Sequence, residues 1–330
     1  MERYFLGGNT AYGFRSFYDS ELARMDNVIL MKGAPGTGKS TLIKSVGAEC
    51  AKRGLDHEIW YCSGDPESAD GIYVKALGAA VVDATSPHPC EVALPVIRER
   101  IVDMAAAMDR AAVLPAKKEI IELINVKKRC YSRAYDKLKS AFCHYMRSEE
   151  AYAKKADIVA VRRAAAAFAL AETDCVSGGS QGRNAFSKAI TPNGIVAFYD
   201  YLAGRRVYML DGGEHAAHVF LSEAAKLIPG GTVLHHPLLP ERVESVLWKG
   251  CALTADAGPF AAAADRIELE PGAAEDGEEL ALSRAEIKAA VAELAEAKLA
   301  HAEIERLHAV GMDFSVTEGI ARKVREMIFG

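Results

Sequence analysis

The sequence predicts an α/β protein built from two copies of one lobe, each a parallel sheet followed by a helical hairpin. Three observations predict it. The chain repeats itself at low identity, apolar strands alternate with amphipathic helices, and a glycine-rich turn joins the first such strand to its helix. At 330 residues the chain is longer than one core usually grows, which suits two lobes. Half of the residues are hydrophobic and 26% are charged, a balance that excludes disordered, collagen-like and small disulfide-rich proteins.

The repeat is read by placing residues 5–19 over 186–200, an offset of 181. Phe5, Thr10, Gly13, Phe17, Tyr18 and Asp19 then fall on Phe186, Thr191, Gly194, Phe198, Tyr199 and Asp200. Composition alone would give roughly one identity in such a window. Three further blocks keep the same order. Val28–Gly33 lies over Val207–Gly212, and Asp65–Glu67 lies over Leu239–Glu241. Leu138, Ala141 and Asp157 lie over Leu294, Ala297 and Asp313. The lobes are therefore expected at 1–178 and 179–330, joined by the Gly/Ser-rich stretch Val176–Gly182. The first has a core of about 1–90 and a helical part of about 91–175; the second has a core of about 183–270 and a helical part of about 278–328.

In the first lobe an aromatic entry segment leads to a strand at Asn27–Met31 and a helix at Lys39–Arg53, closed by Gly54. A second strand follows at His57–Cys62, and a third apolar run, Ala79–Val82, ends in Asp83. The second lobe repeats this with a strand at Arg206–Leu210, a helix at Ala216–Ile228 and a strand at Thr232–His236. At most three strands per copy are clear, few for a nucleotide-binding sheet, so the entry segments are expected to add a strand, with pairing across the copies open to them. Long helical stretches are expected at 92–172, broken near Pro115, and at 278–309 with 315–328.

Gly33-Ala34-Pro35-Gly36-Thr37-Gly38-Lys39-Ser40, followed by Thr41, fits G-x-x-x-x-G-K-[ST]. It lies directly after an apolar strand and before an amphipathic helix, the setting of a P-loop. The glycines allow a concave backbone whose N–H groups point at phosphate, and the helix adds its positive N-terminal end. Lys39 supplies a mobile cation, and the Ser40 hydroxyl is placed to ligate Mg²⁺. The sequence thus predicts P-loop NTPase-like lobes, with ATP and Mg²⁺ held by Gly33 through Thr41 in the first.

A carboxylate must support the metal. Asp83 is the leading residue because it closes an apolar strand and so reaches the C-terminal edge of the sheet. Asp65, after the second strand, is its rival; it either orients a water or an acceptor hydroxyl or only starts the turn before Pro66. No Glu follows Asp83, which points to hydrolysis that is slow or depends on a partner. No Asn-Lys-x-Asp guanine reader follows the loop, which favours adenine.

In the second copy His215, Ala217, His218 and Val219 stand where the first has Gly36, Gly38, Lys39 and Ser40. The nest, the cation and the metal-binding hydroxyl are lost together. His215 with His218, and the adjacent His235-His236, suggest a metal pair, yet no Cys or carboxylate cluster accompanies them at ligand spacing. The expectation is a degenerate, structural lobe without metal.

Other signals set limits. A net charge of −5 argues against a dedicated nucleic-acid binder. No apolar run approaches the ~18 residues of a membrane helix. The N-terminus has no apolar signal core, and seven cysteines without a CxxC pair read as buried thiols, so the cytoplasm is the expected compartment. Ser177–Gln181 resembles a transporter-ATPase signature, but no strand ending in Asp-Glu follows it, so it reads as a linker. Residues 115–165 carry thirteen Lys/Arg against six Asp/Glu, while 265–306 carry five against twelve. These blocks are solvated faces, or else the basic one is a lid or partner surface that brings Arg129 or Arg133 to the triphosphate. Tyr131, Tyr135, Tyr145 and Tyr152 fall at helical spacing and read as packing.

Taken together, these residues resemble a bacterial family of tandem P-loop ATPases, labelled hypothetical ATPases or nucleotide kinases. Besides Gly33–Ser40, the resemblance rests on Gly7–Thr10 with Gly13-Phe14 and Ser16–Asp19, Cys62–Pro66, Asp83–His88, Ala189–Gly194, and Ala297-Lys298 through Met312–Phe314. It implies two P-loop-like lobes and ATP binding, with no fixed substrate. The chain departs from it at His215–Val219, where a second intact loop would stand. The expected function is a slow or partner-dependent Mg-ATPase with one competent site. A nucleotide or small-metabolite kinase and a non-enzymatic ATP-binding scaffold are the alternatives, and His88 is a further candidate lining residue.

Overall fold

The computed structural model describes residues 1–85, 92–173, 182–269 and 277–330. Lobe one opens with β1 (Glu2–Tyr4), a hairpin of β2 (Gly7–Thr10) and β3 (Gly13–Ser16), and the short helix α1 (Tyr18–Leu22). Then come β4 (Asn27–Lys32), α2 (Lys39–Lys52), β5 (His57–Tyr61), β6 (Ala69–Val74), β7 (Ala79–Asp83) and β8 (Glu99–Asp103). Three helices finish this half: α3 (Arg110–Val113), α4 (Lys117–Ala153) and α5 (Ile158–Glu172). Lobe two has β9 (Arg183–Ala185), the hairpin β10 (Lys188–Thr191) and β11 (Gly194–Ala197), β12 (Arg206–Asp211) and α6 (Glu214–Leu227). It continues with β13 (Thr232–His235), β14 (Val243–Trp248), β15 (Cys251–Thr254), β16 (Asp265–Glu268), α7 (Gly277–Ala309) and α8 (Phe314–Phe329).

Each lobe holds one six-stranded sheet, in the order β1-β5-β6-β7-β4-β8 and β9-β13-β14-β15-β12-β16. The two agree in direction as well as order. Every strand runs parallel to its neighbours except β6 and β14, which are antiparallel on both sides. The expectation of purely parallel sheets is corrected by these two strands. β6 was hidden because it begins Ala69-Asp70-Gly71, and Asp and Gly are poor strand formers. Gly71 is required there: a Cβ would lie 2.5 Å from the Trp60 ring.

A second correction concerns the segment 92–116, expected as helix. It supplies the edge strand β8 and the one-turn α3, and the long helix starts only after the turn Leu114–Ala116 that carries Pro115. The entry segments do add strands, as edge strands β1 and β9 plus the two hairpins.

The sheets stack face to face, with helices outside. Alternation in β4 shows how: Val28 and Leu30 join Val207, Leu234 and Leu247 in a core between the sheets. Ile29 and Met31 point the other way, beneath Leu42, Ile43 and Val46 of α2. The second helix of each hairpin crosses to the opposite lobe. Ala321, Val324 and Ile328 of α8 close the outer core of lobe one, while Ala165 and Ala169 of α5 close that of lobe two against Phe220 and Leu221 of α6.

Helices α4 and α7 pack antiparallel over the two hairpins, with Leu138, Ala141, Ala290 and Leu294 at the seam. The opposite charge blocks meet here. Arg133 pairs with Glu293 at 2.7 Å, Lys137 with Glu286 at 3.6 Å, and His144 with Glu279 at 2.6 Å. Asp157 and Asp313, matched in the repeat, cap α5 and α8 in the same way, each accepting from backbone N–H groups of the first turn. No helix among the described residues is long and apolar enough to cross a membrane. Cys50 and Cys130 are buried thiols as expected, whereas Cys143 is exposed.

Candidate functional site

The glycine-rich segment forms the bend between β4 and α2. Gly36 and Gly38 adopt left-handed backbone, with φ of +82° and +84°, so the loop needs its glycines at these two places. Thr37 folds under the loop and donates from its hydroxyl to the Ala34 carbonyl at 2.8 Å. Lys39 opens α2 and turns back, donating from Nζ to the carbonyls of Gly33 (2.8 Å) and Ala34 (2.9 Å). Pro35 lies on the loop, and Thr41 stands exposed on the first turn of α2. Ser40 accepts the Ala69 N–H at 2.9 Å, which ties the helix start to β6.

Asp83 ends β7 next to this loop, its Oδ2 3.6 Å from Lys39 Nζ. Thr85 fixes it by donating its backbone N–H to Oδ1 at 2.9 Å. Burial raises the Asp83 pKa, and a second carboxylate, Asp70, adds to that while Lys39 opposes it. Asp70 is itself buried on β6. It is a candidate site residue that the sequence reading missed, because the strand that carries it was not recognised.

Asp65 lies at the rim rather than in the loop. Its Oδ2 accepts the Ser68 hydroxyl at 2.6 Å and its Oδ1 lies 2.8 Å from Lys298 Nζ of α7. Burial raises its pKa, but the bonds from Lys298 and Ser68 outweigh this and the net shift is downward.

Helix α7 of lobe two covers the loop. A Cβ on Gly36 would stand 2.8 Å from the Glu305 backbone carbonyl, so α7 packs directly on the loop. Burial, then repulsion from Asp65, raises the Glu305 pKa. His301 accepts from Lys127 Nζ of α4 at 3.1 Å; burial and the neighbouring lysines lower its pKa to about 4, so the ring is neutral. Arg133 is spent on Glu293 and Arg129 is exposed, so Lys127 is the α4 cation beside this site. Tyr145 and Tyr152 are packed in the interior, as their spacing suggested. Ser86, Pro87 and His88 lie outside the described residues, as does the linker Ser177–Gln181.

Lobe two has a different site at the same place. Its helix α6 starts at Glu214, the position of Pro35, whereas α2 starts only at Lys39. With His215 and Ala217 in place of the left-handed glycines, the helix runs on through the loop and no nest forms. The expectation of isolated histidines is corrected. The fold brings Glu214 and Glu244 to His218 and His236, with His236 Nε2 3.9 Å from Glu214 Oε1 and His218 Nε2 3.9 Å from Glu244 Oε2. Both acids were out of view, one a helix-start residue and the other on the unpredicted β14. Burial lowers the pKa of His218 to about 3 and of His236 to about 4, so both rings are neutral. A cavity of about 390 Å³ opens beside them.

No family model, curated protein or solved structure matches this chain.

Proposed function

We propose that lobe one binds ATP with Mg²⁺ at Gly33–Thr41 and hydrolyses it slowly, under control of the covering helices or of a partner. One observation carries this reading. Two left-handed glycines precede a lysine whose Nζ lies 3.6 Å from a strand-terminal aspartate on the neighbouring parallel strand.

The residues present fit the nucleotide. The left-handed bend at Gly36 and Gly38 stands at a helix N-terminus, an arrangement that can present backbone N–H groups to phosphate. Lys39 bonds to two neutral carbonyls with Asp83 at 3.6 Å, and a triphosphate would offer it closer anionic acceptors. The Ser40 hydroxyl keeps a lone pair beyond its bond from Ala69, and with Asp83 it would hold the metal. Ser40 and Asp83 would hold Mg²⁺, which would supply positive charge against the negative charge developing on the transferring group. Asp65, held at the rim by Lys298 and Ser68, would orient a water or an acceptor hydroxyl, or only shape the turn before Pro66. The Glu305 backbone packs against Gly36, so α7 covers the loop and would have to yield for a nucleotide to enter.

The test is ATP affinity and turnover with Mg²⁺ for the wild type, Lys39→Ala and Asp83→Ala. Lys39→Ala should weaken binding roughly tenfold to a hundredfold, the range for a hydrogen bond to a charged group. Asp83→Ala should suppress the Mg²⁺-dependent turnover. Unchanged affinity in Lys39→Ala would overturn the reading.

A further inference from the structure

We propose that lobe two holds a divalent transition metal of the zinc class at Glu214, His218 and His236, with an open coordination position facing the cavity. One carboxylate oxygen and one ring nitrogen from each histidine lie within 4.8 Å of one another. Zinc bonds of ~2.1 Å in tetrahedral geometry place ligand atoms ~3.4 Å apart. The 3.9 Å between Glu214 Oε1 and His236 Nε2 therefore needs to contract by only half an ångström or so. Two imidazoles and one carboxylate are a ligand set that zinc takes with a fourth position left open. The cavity of about 390 Å³ beside the three is lined as well by Tyr145, Lys188 and Glu244.

The surroundings suit a cation. Glu214, Glu244 and Asp256 line the cavity against Lys188 and Arg284, which leaves an excess of negative charge. Lys188 is already shared between Glu244 and Asp256, and Arg284 lies 3.4 Å from Glu214 on the exposed side. The Tyr145 hydroxyl lies 3.3 Å from His218 Nδ1 and can accept a hydrogen bond from Nδ1–H, which leaves Nε2 free to ligate. His236 has to reorganise. Its Nδ1 accepts the Leu239 N–H at 3.2 Å, so its proton sits on Nε2. Loading moves that proton to Nδ1 and ends the Leu239 contact, with no net change in protonation.

The comparison with lobe one shows what has changed. By the offsets of the repeat, Glu214, His218 and His236 stand where lobe one has Pro35, Lys39 and Cys62, and Glu244 stands where it has Asp70. One acid is common to both sites. Around it, lobe two has imidazole ligands where lobe one has a phosphate-binding type of cation. The proposal does not depend on nucleotide binding in lobe one.

The experiment is titration of chelator-treated full-length protein with Co²⁺, followed by Zn²⁺. One Co²⁺ per chain should give the strong visible bands of a four-coordinate ion, which Zn²⁺ removes and excess Mg²⁺ does not. Glu214→Gln, a partly exposed change that should leave folding intact by circular dichroism, should weaken binding about tenfold or more. His236→Gln should act likewise, while His301→Gln in lobe one should leave the spectrum unchanged. Absence of four-coordinate bands in the wild type, or unchanged affinity in a folded Glu214→Gln protein, overturns the proposal.

Discussion

Phe5 and Phe186 bond to each other across the molecule, each backbone N–H donating to the other's carbonyl at 2.8 Å. They are equivalent positions of the repeat, so this bridge marks an approximate twofold relation between the lobes. Asn9 supports it, donating to the carbonyl of Ile190 at 3.0 Å beside the same seam.

That relation makes the halves interdependent. Without α8, the core formed by Ile29, Met31, Leu42 and Ile43 loses the cover of Ala321, Val324 and Ile328. Exposing a few such side chains costs about 1.5–3 kcal/mol each for the larger ones, comparable with the whole stability of a domain. Chains 1–178 and 179–330 should therefore each lack a cooperative melt and regain it when mixed or co-expressed. Differential scanning calorimetry of the separate pieces decides this; a sharp transition near that of the full chain in either piece contradicts it.

The sequence carries the local features well and the long-range ones poorly. β4, α2, β7 and α6 lie within a few residues of their expected bounds, because apolar runs bounded by glycines write them directly into the chain. The bend at Gly36 and Gly38 is equally local. By contrast, β6 depends on Trp60 taking the space of a missing Cβ, and the crossing of α5 and α8 depends on which sheet each meets. Glu305 and Asp70 reach the loop only through those long-range contacts, as Glu214 and Glu244 reach the histidines.

Gly36→Ala should damage the loop specifically. Its φ of +82° disfavours any side chain, and the new Cβ would meet the Glu305 carbonyl at 2.8 Å. Gly54→Ala is the control, with a φ of +66° and open space around it, and should cost about 1 kcal/mol. Gly36→Ala should cost more and should also abolish ATP binding, whereas Gly54→Ala leaves binding intact. Equal effects of the two on affinity would mean that the Gly36 bend has no part in the site.

Glu305→Gln should strengthen ATP binding. Glu305 belongs to the helix that packs on Gly36, and its carboxylate would repel the incoming charge. Removing one like charge beside the phosphates is worth about 1–1.5 kcal/mol, so affinity should rise roughly fivefold to tenfold. Isothermal titration at pH 7.5 measures it. A fall in affinity would instead make Glu305 part of the nucleotide's own binding shell.

Stability should fall in mild acid, and His301 and His215 give the sign. Burial holds each ring's pKa at about 4, well below the usual 6.5. The unfolded chain thus binds protons that the folded chain refuses. The stability that these neutral rings contribute is fully present above pH 6.5 and is lost as pH falls towards 4. Asp83 and Glu305 act in the opposite sense, since their raised pKa values favour the folded chain in acid, and they soften the loss. For His215, almost wholly buried against Ser148 at 2.9 Å, the loss is on the order of 3 kcal/mol across that window. Thermal melts from pH 7.5 to 4.5 should show Tm dropping steadily, and His215→Gln should flatten the slope even if it lowers Tm at neutral pH. A slope unchanged by that substitution would place the acid sensitivity elsewhere.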